Sequence, residues 1–248
     1  VIQYNPRNFY AHNRKGNTLY RIGRYRQALV AYEQAIRLDP DEPIFHYNKG
    51  DVLACLCRYE EAFAAYERAI RLKPDDAYTY NSQGNTLYKL HRYRRALAAY
   101  EQAILLDSKE AIFYYNKANV LAFLNRHEEA IIAYENAIAL DPNDFHAYKG
   151  KGDAFVVLGR YEDALACYAR AVCFAPNFAI AYNNMGDILY NLGYYEEALS
   201  TYEKTLQTDP SNVDACKGKG NALWELMRFE EAIDAYMQPI NPLSSQPS

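Results

Sequence analysis

The amino-acid sequence predicts an all-α solenoid made of tandem helix hairpins. Three observations carry that prediction: an unbroken 34-residue period, two blocks of helical apolar spacing within each period, and a proline-marked break between periods. The stretch GNTLYRIGRYRQALVAYEQAIRLDP, Gly16 to Pro40, returns 68 residues later as GNTLYKLHRYRRALAAYEQAILLDS, Gly84 to Ser108, with 18 of 25 positions identical.

The shorter period shows in single residue types. An alanine recurs at Ala28, Ala62, Ala96, Ala130, Ala164, Ala198 and Ala232, every 34 residues without an insertion. Four residues after each comes a tyrosine: Tyr32, Tyr66, Tyr100, Tyr134, Tyr168, Tyr202 and Tyr236. In the third unit, Tyr80, Leu87 and Leu90 mark the apolar stripe of a first helix. Ala96, Leu97, Tyr100, Ala103 and Ile104 mark that of a second. Gly or Ala where the two helices cross allows close backbone approach, and the tyrosine fills the space toward the neighbouring unit. Asp-Pro pairs such as Asp39-Pro40 end the second helix, and the proline is expected in the first turn of the next one. A hairpin this short cannot offset its ordering entropy alone, so it must stack on copies of itself.

This pattern resembles the tetratricopeptide repeat, a helix–turn–helix unit of the same length. The resemblance covers residues 9–238 as units 9–42, 43–76, 77–110, 111–144, 145–178, 179–212 and a truncated 213–238. Small residues fall at the family's position 8 (Gly16, Gly50, Gly84, Ala118, Gly152, Gly186, Gly220) and at position 20, the alanines above. Position 27 departs at Thr205 and Pro239. Glu42–Ile70 returns as Glu110–Ile138, so the first four units read as a duplicated pair. The resemblance implies a right-handed superhelix whose first helices line a concave groove.

Residues 1–8, VIQYNPRN, align with the end of a second helix, as AIRLDPDE does at Ala35–Glu42. They are expected to close a preceding repeat of a longer protein, or else to form a short N-terminal extension. Pro239 breaks the last second helix, and residues 239–248 are expected to be a flexible tail.

Composition narrows the function. Half of the 248 residues are apolar, and 27 Lys and Arg against 31 Asp and Glu give a net charge of −4, with no bulk attraction to nucleic acid or to an anionic membrane. No apolar run approaches the roughly 18 residues of a membrane helix, so a cytoplasmic protein is expected. The five cysteines form no zinc-site spacing and are expected to be small buried apolar residues. His12, His46, His91, His127 and His146 occupy different repeat positions without a nucleophile motif, and no phosphate-binding loop is present. The expectation is therefore a non-enzyme without cofactor or metal. Arg24, Arg26, Arg92, Arg94 and Arg95 near the turns are set against Glu33 and Glu101 as a solvated face.

The resemblance also names groove positions. At position 9 every unit carries Asn or Asp: Asn17, Asp51, Asn85, Asn119, Asp153, Asp187 and Asn221. Position 5 holds Asn13, Tyr47, Asn81, Tyr115, Lys149 and Asn183, while Tyr78 at position 2 and Tyr20 and Tyr88 at position 12 add aromatic surface. A ladder of Asn side chains offers donors and acceptors to an extended main chain. Alternatively, each Asn or Asp bonds to the adjacent repeat and orders the stack. The family's clamp for a terminal carboxylate finds its best frame at Lys149, Asp153 and Asn184, but Asp214 and Gly218 replace the further cations. Units 5 to 7 carry an acidic bias suited to a basic segment, and units 1 to 4 suit an uncharged aromatic or aliphatic one.

Two functions of different class follow. One is a scaffold that binds a partner's peptide segment in the groove. The other is a spacer, sensor or weakly self-associating element, like the arrays attached to kinase, protease or nucleotide-switch modules in bacterial-type signalling proteins. Single-stranded RNA lacks the cationic track it needs here.

Overall fold

The structure, a computed structural model, describes residues 8–238. Among them are fourteen helices and no strand. Residue contacts divide the chain into two units, 1–133 and 134–248. Unit 1 contains α1 (Phe9–Arg21), α2 (Tyr25–Leu38), α3 (Pro43–Cys55), α4 (Tyr59–Leu72), α5 (Ala77–Lys89), α6 (Tyr93–Leu106) and α7 (Ala111–Phe123). The division falls within α8 (His127–Leu140). Unit 2 contains α9 (Phe145–Val157), α10 (Tyr161–Phe174), α11 (Ala179–Asn191), α12 (Tyr195–Thr208), α13 (Val213–Glu225) and α14 (Phe229–Met237).

Three-residue turns join the helices of each hairpin, and the turn chemistry repeats. The N–H of Arg24 bonds to the carbonyl of Leu19 at 2.9 Å and that of Gly23 to Tyr20 at 3.0 Å, which closes the end of α1. That closure needs a left-handed residue, supplied by Gly23, Gly159 and Gly193, but also by Cys57, His91, Asn125 and Met227 at φ of 58–60°. Asn8, placed by sequence in the N-terminal extension, caps α1 by accepting from the Ala11 N–H at 2.9 Å. Pro40, Pro74, Pro142, Pro176 and Pro210 lie in the connections rather than in a first helical turn; among the described residues Pro43 alone takes that place. Pro239 and residues 1–7 and 239–248 lie outside the described residues.

In unit 1 the second helices pack on both flanking first helices, and α1, α3, α5 and α7 also touch one another in sequence to form one wall. The core runs between these layers: Ala28, Leu29 and Tyr32 meet Val52, Leu53, Ala62, Ala65 and Tyr66. In unit 2 Ala198, Leu199 and Tyr202 meet Ala215, Cys216, Ala222 and Leu223 in the same way. Each tyrosine ring that enters the core removes enough apolar surface to contribute about 1.5–3 kcal/mol.

The small residues have a specific task. A Cβ on Gly84 would lie 2.6 Å from the Tyr100 ring, and one on Gly50 would lie 2.5 Å from Tyr66. The tyrosine therefore packs flat on its own first helix. In unit 2 it also meets the next one: Tyr202 lies between Gly186 and Gly218, where added Cβ atoms would stand 2.7 and 2.4 Å away. Charge marks the register as well. Lys49 reaches Glu33 at 3.1 Å and Lys117 reaches Glu101 at 3.0 Å in unit 1. Lys151–Glu135 at 2.8 Å and Lys219–Glu203 at 3.2 Å repeat the link in unit 2. At position 27, buried Thr205 replaces alanine and bonds its hydroxyl to the Thr201 carbonyl at 3.2 Å.

Candidate functional site

The Asn/Asp ladder stands on the first helices, and its oxygens already have partners. The Tyr32 hydroxyl donates to Asn17 Oδ1 at 2.8 Å and Tyr66 to Asp51 Oδ1 at 2.6 Å. Tyr100 to Asn85, Tyr168 to Asp153, Tyr202 to Asp187 and Tyr236 to Asn221 follow at 2.7–2.8 Å. The partner lies on the second helix of the same repeat, whereas the ordering alternative placed it on the adjacent one. A buried phenol needs an acceptor, and a short Asn or Asp on the facing helix supplies it. The adjacent repeat contributes a weaker contact: Asn48 Nδ2 approaches Asn17 Oδ1 at 3.4 Å, and Asn184 Nδ2 approaches Asp153 Oδ1 at 3.3 Å.

Position 5 is more deeply committed. Asn13 and Asn81 are 8% exposed, and their Oδ1 atoms accept from Asn48 and Asn116 of the following repeat at 2.9 Å. Lys149 pairs with Asp153 Oδ2 at 2.6 Å, so the frame that most resembles a carboxylate clamp is closed on itself. Asn183 donates to Asp187 Oδ2 at 3.2 Å while its own Oδ1 accepts no bond. Tyr115 and Asn119 are half-buried.

What remains open in unit 1 is a surface across α1, α3 and α5. One cavity, of about 450 Å³, includes Arg14, Asn17, Tyr20, Arg21 and Asp51 in its lining. A second, of about 290 Å³, shares Tyr20 and Asp51 and continues to Cys55, Asn85 and Lys89. The Tyr20 hydroxyl lies 3.3 Å from Cys55 Sγ, which holds the ring across the ridge between them. Tyr78 is exposed and set edge-on to Phe113, and Tyr88 leans on Tyr93 and Phe123. Tyr47 is half-buried and its ring meets Tyr66.

Electrostatics separate the carboxylate of this surface from its cations. Burial pushes the Asp51 carboxyl up from its usual range, and hydrogen bonds from Tyr66 and Tyr47 oppose that only in part. Burial, followed by the Asp51 charge, raises Tyr32 and Tyr47 to about 12. Glu33 and Glu101, which sequence set against the turn arginines, are instead paired with Lys49 and Lys117. Arg14 at position 6 was absent from the groove positions taken from the family, although it lines the larger cavity. Its position two turns before Arg21 on one helix was the available signal.

Among the described residues, no group of three or more His, Cys, Asp or Glu side chains is placed to hold a metal ion, and no helix is long and apolar enough to cross a membrane.

Comparison with known proteins agrees with this architecture. A family model described as Tetratricopeptide repeat matches residues 13–77 and 81–145, and others described as TPR repeat and Tetratricopeptide repeat match 152–193 and 179–212. No curated protein matches the sequence. Among solved structures, YrrB, described as a TPR protein with an unusual peptide-binding site, is 25% identical with a TM-score of 0.64, over 75% of this chain and 95% of its own. PilF of Pseudomonas aeruginosa is 17% identical with a TM-score of 0.70, over 83% and 93%. MamA of Desulfovibrio magneticus RS-1 is 20% identical with a TM-score of 0.65, over 68% and 96%. With the hairpin period, the tyrosine-on-glycine crossings and these family matches together, the chain belongs to the tetratricopeptide-repeat family.

Proposed function

We propose that the chain is a non-catalytic protein-interaction scaffold whose first-helix surface in unit 1 holds a peptide segment of a partner. The observation that supports this is the pair of cavities joined through Tyr20 and Asp51 across α1, α3 and α5. Asn17 and Asn85 present their amide Nδ2 groups there as donors for peptide carbonyls, since their oxygens are held by Tyr32 and Tyr100. Tyr20, Tyr78 and Tyr88 supply aromatic contact with a polar tip. In unit 2, Asp153, Asn183, Asp187 and Asn221 are the corresponding contacts for a separate segment. The peptide-binding site noted for YrrB lends support. Of the cysteines expected in the core, only Cys167 and Cys216 are buried; the free, exposed thiols of Cys55, Cys57 and Cys173 suit a reducing compartment such as the cytoplasm.

The test selects peptides from a random display library on the whole chain and measures them against Asn85→Asp and Tyr20→Ala. Asn85→Asp keeps the acceptor for Tyr100 while it removes the donor and adds a negative charge, so affinity should fall by at least about 1 kcal/mol, with a further loss for Tyr20→Ala. Unchanged affinity in both variants would remove this surface as the contact.

A second reading, self-association, is favoured by one observation. Ile233 on α14 is 59% exposed, whereas Leu29, Leu97, Ile131 and Leu199 at the same repeat position are 7% exposed; Trp224 and Phe229, edge-on to each other, are open as well. Sedimentation over a range of concentrations tests it, and a monomer throughout excludes it.

A further inference from the structure

We propose that the segment held on the unit 1 surface is acidic, bringing Asp or Glu side chains to Arg14, Arg21 and Lys89 and apolar side chains to Tyr20. This rests on the peptide-scaffold reading and adds the chemistry of the occupant.

The chain is electrically lopsided. Residues 1–133 hold 19 Lys and Arg against 15 Asp and Glu, while residues 134–248 hold 8 against 16, so a net of +4 stands against −8. Part of that surplus stands at the site, where three cations line the two cavities. Elsewhere in unit 1 Lys49, Arg58, Arg68, Arg92, Lys117 and Arg126 each have a carboxylate partner. Arg14, Arg21 and Lys89, which line the two cavities, have none among the described residues. The one carboxylate that lines both cavities, Asp51, accepts from the Tyr66 hydroxyl at 2.6 Å and forms no ion pair with any of the three.

An exposed, unpaired guanidinium gains from a carboxylate that accepts from its fork, and this gain is what a neutral segment cannot supply. Selection among segments follows from the same field, because a basic segment would be repelled here and drawn to unit 2. The uncharged ligand expected from sequence for units 1 to 4 is therefore replaced by an acidic one. Nucleic acid fits poorly, since three cations make no continuous phosphate track.

The experiment uses the whole chain with two fluorescent degenerate peptide pools, one with Asp or Glu and one with Lys or Arg alternating with Leu and Phe. Oligothymidylate serves as competitor. The acidic pool should bind about ten-fold tighter than the basic pool, weaken as salt is raised, and lose its advantage in Arg14→Glu/Arg21→Glu/Lys89→Glu, whose helicity should match the parent because all three side chains are exposed. Basic or uncharged peptides that bind as well and remain sensitive to Tyr20→Ala would overturn the acidic occupant and leave the scaffold reading standing. Absence of binding by either pool would overturn both. Competition by oligothymidylate at equal strength would assign the surface to a nucleic acid instead. Salt-sensitive self-association abolished by the triple variant would make a second copy the occupant and end the proposal.

Discussion

The Tyr66 hydroxyl donates to Asp51 Oδ1 at 2.6 Å across one hairpin, and the same bond reaches the neutral Asn85 from Tyr100 at 2.7 Å. Two chemistries thus fill one geometric role. Burial raises the Asp51 pKa, so its ionised form is the disfavoured one. The sign follows: Asp51 contributes most below the ordinary carboxylate range near 4, and this is lost as pH rises through its raised value. Asp51→Asn should therefore stabilise the chain by about 1 kcal/mol at neutral pH and by little in acid. Thermal melts at both pH values check this, and an unchanged or lower midpoint at neutral pH refutes it.

Asn116 Nδ2 donates to Asn81 Oδ1 at 2.9 Å and joins consecutive repeats through one half-buried amide contact. Asn81→Ala leaves the half-buried Asn116 donor without its partner and should cost about 1 kcal/mol in urea unfolding. Adding Asn116→Ala should recover part of that loss, since both unpaired groups are then gone. Strict additivity in the cycle would show that the contact carries no coupling.

Gly218→Ala should destabilise more than Gly84→Ala. Tyr202 has a glycine on either side and cannot move off an added methyl without striking Gly186, whereas glycine faces Tyr100 only at Gly84 on the first helix of its own hairpin, with Asn116 in the following repeat at the place of Gly218. Overpacking of this kind costs about 1–3 kcal/mol. Equal losses in denaturant midpoint would contradict the two-sided slot.

At the helix ends, Met227 holds φ of 60° and is 78% exposed, so it has strain and little packing to lose. Met227→Gly should stabilise by about 0.5–1 kcal/mol, and Gly193→Ala, at φ of 83°, should destabilise by about 1 kcal/mol. Differential scanning calorimetry of both variants gives the signs directly.

The fold was legible because its information is periodic. Ala28, Tyr32 and Gly16 repeat at fixed spacing, and each spacing maps onto one crossing. The site was less legible for a matching reason. Asn17 and Asn85 look alike whether they face a ligand or a phenol, and only three-dimensional placement shows that the oxygen is engaged while the amide is not. Asn13 and Asn81 gave no sign of burial, because a polar residue on a first helix reads as surface. Likewise Glu33 lies nearer in sequence to Arg26 than to Lys49, yet the stack gives it to Lys49. Charge pairing between repeats follows spatial neighbours, which a linear reading cannot rank.

The Tyr202 ring between Gly186 and Gly218 also bears on how such a chain changes length over generations. Because the contact of a tyrosine with the glycine of its own hairpin recurs at Gly16, Gly50, Gly84, Gly152, Gly186 and Gly220, recombination that gains or drops a whole number of periods keeps each hairpin's packing intact. Descendants with longer or shorter arrays can therefore arise without inventing a new interface, and their novelty is free to accumulate on the outward side chains such as Arg14 and Tyr20.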